Sequence, residues 1–174
     1  EDTPPPRRST GETAASETSG AAGAPAEEPP ATDVVESPAV DLLQSAATDL
    51  AVSSAYRDQI AQVANLVDDS LETSWNSTTG ELVGAWIEVR VPANATVTSI
   101  QLTVGFTHRT ERADLFTGNH RVTRVRVLRD GTEVGDYPLD PESRALQTLP
   151  VQGPGGVYRL EIAAVQPGTN ASWR

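Results

Sequence analysis

From about residue 85 onward, hydrophobic and polar positions alternate with a period of two. In Trp86-Ile87-Glu88-Val89-Arg90-Val91, residues Ile87, Val89 and Val91 share one face while Glu88 and Arg90 share the other, which predicts a strand buried on one side. Pro92-Ala93-Asn94 is expected to end it, and Ile100, Leu102 and Val104 then alternate with Gln101 and Thr103 in the next strand. Val125 and Val127 alternate with Arg124 and Arg126 and lead to Asp130-Gly131, a pair suited to the positive φ angles of a tight hairpin turn, with Thr132-Glu133-Val134 returning. Tyr158, Leu160 and Ile162 alternate with Arg159 and Glu161 until Gln166-Pro167-Gly168 closes the run. The start of the folded region is ambiguous: Leu42, Leu43, Ala46, Ala47 and Leu50 suit a helical turn, while Ala51-Val52-Ser53-Ser54 suits a first strand. Short strands between turn signals, with hardly a helix and no internal repeat, predict an all-β fold, an antiparallel β-sandwich or barrel.

Composition divides the chain. Residues 1–40 hold seven of the 13 prolines, with Val34, Val35 and Val40 as their only branched apolar residues and no aromatic. Such a segment cannot bury enough apolar surface to offset its ordering entropy, so residues 1–44 are expected to be a disordered linker. The two arginines and eight acids of residues 1–40 give −6, and self-repulsion with proline stiffness should extend the linker as a spacer. The remaining residues, 45–174, suffice for one core and one domain. Over the whole chain 13 basic residues, all Arg, face 24 acidic ones for a net charge of −11, which argues against nucleic acid as the main partner. The absence of Cys excludes disulfides, zinc-thiolate sites and thiol catalysis. No stretch of 18 apolar residues occurs. A chain that opens on Glu1 and lacks Met is read as part of a longer product, with any signal or anchor outside it.

The run Ala64-Asn65-Leu66-Val67-Asp68-Asp69-Ser70-Leu71-Glu72-Thr73-Ser74-Trp75, followed by Gly84-Ala85-Trp86-Ile87-Glu88-Val89, resembles the opening of discoidin-like, galactose-binding-type jelly rolls. A more specific likeness lies in Val104-Gly105-Phe106-Thr107-His108, in Leu115-Phe116-Thr117-Gly118-Asn119-His120-Arg121-Val122 and in Val125-Arg126-Val127. These resemble the NADase-type glycan-binding branch, named for the translocation domain of secreted NAD glycohydrolases. The resemblance covers residues 50–170 and implies a jelly-roll sandwich, a glycan ligand and a location at or outside the cell surface. It attaches no NAD chemistry, because NAD cleavage in that branch belongs to a separate domain. Two departures are visible. Asp69 stands where the family usually has Gly, and the chain stops at Trp173-Arg174 where related domains continue, so a last strand is expected to be missing and an edge exposed.

Several residue groups could carry chemistry. Asp68, Ser70 and Thr73 sit on a polar loop offering carboxylate, hydroxyl and carbonyl oxygens, the donor types that Ca²⁺ takes, and relatives often hold a structural calcium there. The same residues could instead hydrogen-bond their own backbone to hold the turn. Trp75 and Trp86 could stack on sugars, although the resemblance implies core packing for both. Between two strands, residues 106–121 gather both histidines and three arginines of an acidic chain, and Phe106, His108, Arg109, Arg112, Asn119 and Arg121 are the candidate glycan-binding residues. Planar Arg and Asn donors beside an aromatic suit sugar hydroxyls, and loops on a rigid sandwich are where such sites sit. The alternative is a solvated loop in which Glu111 and Asp114 pair with Arg109 and Arg112. Arg124, Arg126 and Arg129 are expected to be an exposed face paired with Glu133 and Asp136 across the hairpin. Asn76, Asn94 and Asn170 open glycosylation-acceptor triplets that matter only in a secretory host.

Two function classes follow. One is a non-catalytic glycan-binding module on a spacer, with an attached membrane-anchored or enzymatic domain as its partner, or the same fold used for protein docking or as a structural envelope module. The other is a two-carboxylate hydrolase, disfavoured because no Ser-His-Asp set, nucleophile elbow, phosphate-cradling loop or metal triad accompanies Glu111 and Asp114. A shallow loop site would bind weakly, on the order of −4 to −6 kcal/mol, and would rely on multivalency or tethering.

Overall fold

Alternating valines need a second apolar surface to cover them, and in the computed structural model two antiparallel sheets supply it for each other. The structure describes residues 40–43, 49–78 and 82–170, all belonging to the unit Pro38–Arg174. Apart from residues 40–43, the linker expected over 1–44 lies outside the described residues, as do Trp173 and most of the possible helical turn before Leu50. Seven strands follow in order: β1 (Leu50–Val52), β2 (Trp86–Val97), β3 (Ile100–Leu102), β4 (Arg121–Arg129), β5 (Thr132–Pro138), β6 (Gln147–Leu149) and β7 (Gly153–Gln166). One sheet has the order β1-β2-β7-β4-β5 and the other pairs β3 with β6. The expected antiparallel β-sandwich is the architecture found. Two 3₁₀ segments, Tyr56–Asp58 and Ile60–Leu66, and one helical turn, α1 (Leu115–Gly118), complete the described elements. Among the described residues no helix is long and apolar enough to cross a membrane.

The register explains the core. Val89 pairs with Tyr158, Ile87 with Leu160, and Leu160 in turn with Val127, so the inward residues of three neighbouring strands form rows. Val89, Val91, Val125, Val127 and Tyr158 pack in one cluster with Leu149 of β6, and Ile100 and Leu102 of β3 cover them from the other sheet. Phe116, Val104 and Val151 seal the same core from connecting segments. Asp130 and Gly131 have φ of 49° and 81°, the hairpin turn anticipated between β4 and β5.

Three strand-level expectations change. Pro92-Ala93-Asn94 does not end β2: the register passes from Val91↔Gly156 to Thr96↔Pro154, so four residues bulge against Gly155 and the strand continues to Val97. Proline, lacking an N–H, is accommodated where the ladder is already interrupted. A Cβ on Gly155 would collide with the Pro92 carbonyl. Gly155→Ala is therefore expected to cost about 1 to 3 kcal/mol in chemical denaturation, while an unchanged midpoint would show that the bulge yields. Trp75 and Trp86 are half-buried and lie outside the core cluster. Trp86 shares the parity of Glu88, which puts its ring on the outer face beneath the Arg159 guanidinium, 4.3 Å from the ring centre. On that face Arg124 meets Asp136 at 2.6 Å and Arg126 meets Glu133 at 3.7 Å, as expected of the hairpin. Arg129 departs from that stripe: it pairs with inward-facing Tyr158 and has the parity of Val125 and Val127.

Candidate functional site

The segment between β3 and β4 is irregular because its polar side chains satisfy its own backbone. Thr110 Oγ1 accepts from the N–H groups of Arg112 and Ala113, and Thr110 N donates to Ala113 O at 2.9 Å, closing a tight turn bridged by Arg109 and Asp114. Asp114 then caps α1, its Oδ1 accepting from Phe116 N at 3.1 Å. Phe116 is 2% exposed and pins this turn to the core.

Asp114 is the hub. Its Oδ2 accepts from Arg144 Nη2 at 2.5 Å and from Arg109 Nη2 at 2.9 Å. Arg144 also donates through Nη1 to Thr107 O at 3.2 Å and lays its guanidinium 4.4 Å above the Phe116 ring. The Asp114 carboxylate therefore holds both guanidinium groups and the Phe116 face holds that of Arg144 as well, leaving N–H donors over for a ligand. Arg144 first, and Arg109 after it, hold the Asp114 carboxyl well below the usual carboxylate range. Because the folded value lies below the unfolded one, this stabilisation is complete above about pH 4 and is lost only as pH falls through the depressed value. The Asp114 side-chain carboxyl signal is accordingly expected to stay fixed between about pH 7 and pH 4 in a titration followed by carbon-detected NMR; a midpoint near 4 for that carboxyl would contradict this.

A shallow open depression of about 430 Å³ lies over this cluster, bordered by Leu71, Glu72, Thr107, His108, Arg109 and Arg144. His108 stacks on Phe106 with ring centres 5.8 Å apart and planes at 26°, so Phe106 supports the wall. The expected glycan-binding residues thus divide. His108 and Arg109 border the depression, and Phe106 backs it. Arg112 is exposed at the turn tip and does not border it. Asn119 spends its amide on Leu115 O at 2.8 Å, closing α1. Arg121 is 4% exposed and points inward, donating to Phe116 O at 3.1 Å beneath the ring, so it supports the loop and does not meet a surface ligand directly. Arg144, Glu72 and Leu71 border the depression without any sequence signal that marks them as site residues. Arg144 sits in a polar turn after Pro141, where a lone arginine has no pattern to distinguish it from a solvated charge.

The 68–73 loop joins the same depression, since Thr107 Oγ1 donates to Leu71 O at 3.1 Å. Asp68 Oδ1 accepts from Ser70 N at 2.9 Å and Oδ2 from Thr73 Oγ1 at 2.7 Å, and the Thr73 hydrogen bond foremost lowers its pKa. Ser70 Oγ accepts from Glu72 N at 3.2 Å. Asp69 takes φ of 56°, the left-handed conformation that the usual Gly would adopt more readily. Asp68, Ser70 and Thr73, on which calcium is expected, are bonded here to one another and to their own backbone, the alternative also expected for this turn, and they offer one carboxylate towards the six to eight oxygens that Ca²⁺ takes. Among the described residues no group of three His, Asp or Glu could hold a metal. The loop is a self-capped turn.

No family model matches the chain. No curated protein matches it. Among solved structures it is similar to the family 32 carbohydrate-binding module of C. perfringens NanJ, determined in complex with galactose. The identity is 15%, covering 66% of this chain and 81% of that one, with a TM-score of 0.49. Similarity at this level transfers no residue's role.

Proposed function

We propose that the sandwich is a non-catalytic carbohydrate-binding module of the discoidin-like class, with the depression bordered by His108, Arg109 and Arg144 as its glycan site. The observation that carries the reading is the Arg109–Asp114–Arg144 cluster. Two planar multidonor groups are fixed at 2.9 and 2.5 Å from one carboxylate, with the Phe106–His108 stack alongside, on an open surface. Sugar hydroxyls need such oriented donors next to an apolar face, and prepaid ordering of two long side chains spares much of the entropy that weak ligands cannot offset. The motifs around Gly105-Phe106 and Asn119-His120-Arg121-Val122 support placing it in the NADase-type branch. The acidic, proline-rich composition of residues 1–44 supports a spacer that lets the module deliver an attached protein to a glycan outside the cell.

A glycan array on multivalent protein tests this. Binding should be strongest for a defined saccharide class, with a monovalent Kd on the order of a millimolar, and Arg109→Ala should weaken it at least fivefold at unchanged melting temperature. Arg121→Ala is unsuited to the purpose because it removes a buried support. Silence across all glycans together with capture of a protein through the same arginines would favour protein docking instead.

A further inference from the structure

Leu71 is 57% exposed although it sits on one of the most internally bonded loops of the molecule, held by Asp68, Ser70 and Thr73 and clamped from outside by Thr107. A leucine held largely in water by a rigid loop, at the rim of a depression otherwise bordered by Glu72, Thr107, His108, Arg109 and Arg144, is the one aliphatic side chain on that rim among the described residues. Charge narrows what could cover it. Two guanidinium groups, Arg109 and Arg144, both paired to Asp114, and two carboxylates, Asp114 and the rim residue Glu72 beside Leu71, stand around the depression, so its formal charges cancel and charge favours neither an anion nor a cation. We infer that Leu71 is a specificity-determining residue and that the ligand is a neutral saccharide carrying a methyl group, either as a 6-deoxy carbon or as an acetamido methyl, which packs on Leu71 while ring hydroxyls face Arg109, Arg144 and Glu72. This rests on the glycan-binding reading above.

Burying one methyl against a leucine is worth several-fold in affinity, whereas a hydroxyl at the same place would lose water without gaining a partner. The test uses the whole chain and matched pairs of methyl glycosides, each hexose beside its 6-deoxy and its 2-acetamido counterpart, titrated by ligand-observed NMR against the wild type and Leu71→Ser. Within at least one pair the methyl-bearing sugar should bind three- to tenfold tighter to the wild type, and that ratio should fall to about one in Leu71→Ser. Whether the 6-deoxy or the acetamido arm carries the preference identifies the source of the methyl. A preference that persists in Leu71→Ser, or one below twofold in every wild-type pair, overturns the inference while leaving the glycan site standing. No binding by any member of any pair removes the glycan reading itself and the inference with it.

Discussion

Phe116→Ala is expected to lower the unfolding free energy by about 3 to 5 kcal/mol, measured by urea denaturation, and to abolish ligand binding by the fraction that remains folded. The ring is 2% exposed and has two jobs at once. Its edge completes the core between the two sheets, alongside Val104 and Leu149. Its faces carry the guanidinium groups of Arg144 and Arg121, at 4.4 and 5.4 Å from the ring centre. Alanine would leave a cavity in a close-packed interior and strip both cations of their aromatic partner. Phe116→Leu separates the two effects, since it keeps most of the volume but has no π face. It should cost only about 1 to 2 kcal/mol while still loosening Arg144 and weakening binding. A loss below 1 kcal/mol for the alanine variant would mean that this loop is not anchored in the core as described.

Arg121 gives the second large effect, and its size depends on the replacement. Its side chain is buried, one N–H bonds to Phe116 O at 3.1 Å, its Nε has no partner among the described atoms, and the nearest carboxylate, Glu142, is 3.9 Å away on an exposed side chain. A buried charge with so loose a counter-ion contributes mainly through packing of its stem and through the single carbonyl it satisfies. Arg121→Ala removes both and should cost about 2 to 4 kcal/mol. Arg121→Met refills the volume without burying a charge and should remain within about 1 kcal/mol of the wild type. Equal and large losses for both variants would instead assign the stability to the charge itself.

These two residues also show how far the sequence could be read. Strand faces were legible wherever apolar side chains alternate, because burial on one face of a sheet imposes that period whatever the neighbours are; β2, β4 and β7 follow from it, and Asp130-Gly131 fixed the hairpin through backbone geometry alone. β6 was not legible, since Gln147-Thr148-Leu149 has one apolar residue and owes its pairing to β3. The bulge in β2 looks like a stop in the sequence because a proline says only that the ladder is interrupted there, and whether pairing resumes depends on Gly155 in a distant strand. At the site, the segment 106–121 was found from its concentration of Arg and His, but its inward and outward residues could not be separated: the run has no period, and Arg121 faces in while Arg109 faces out. Arg144 comes to the depression from 30 positions beyond Asp114, a closure made by the core that no local pattern encodes.

The cluster around Asp114 is predicted to meet a saccharide in solution. The direct measurement is a titration of isotope-labelled protein with the best saccharide from the array, followed by amide and arginine side-chain chemical shifts. Saturable shifts confined to Leu71, Glu72, Thr107, His108, Arg109 and Arg144, absent in Arg109→Ala, are the predicted result. Shifts centred on the outer face around Trp86 and Arg159, or none at saturating sugar, would contradict it.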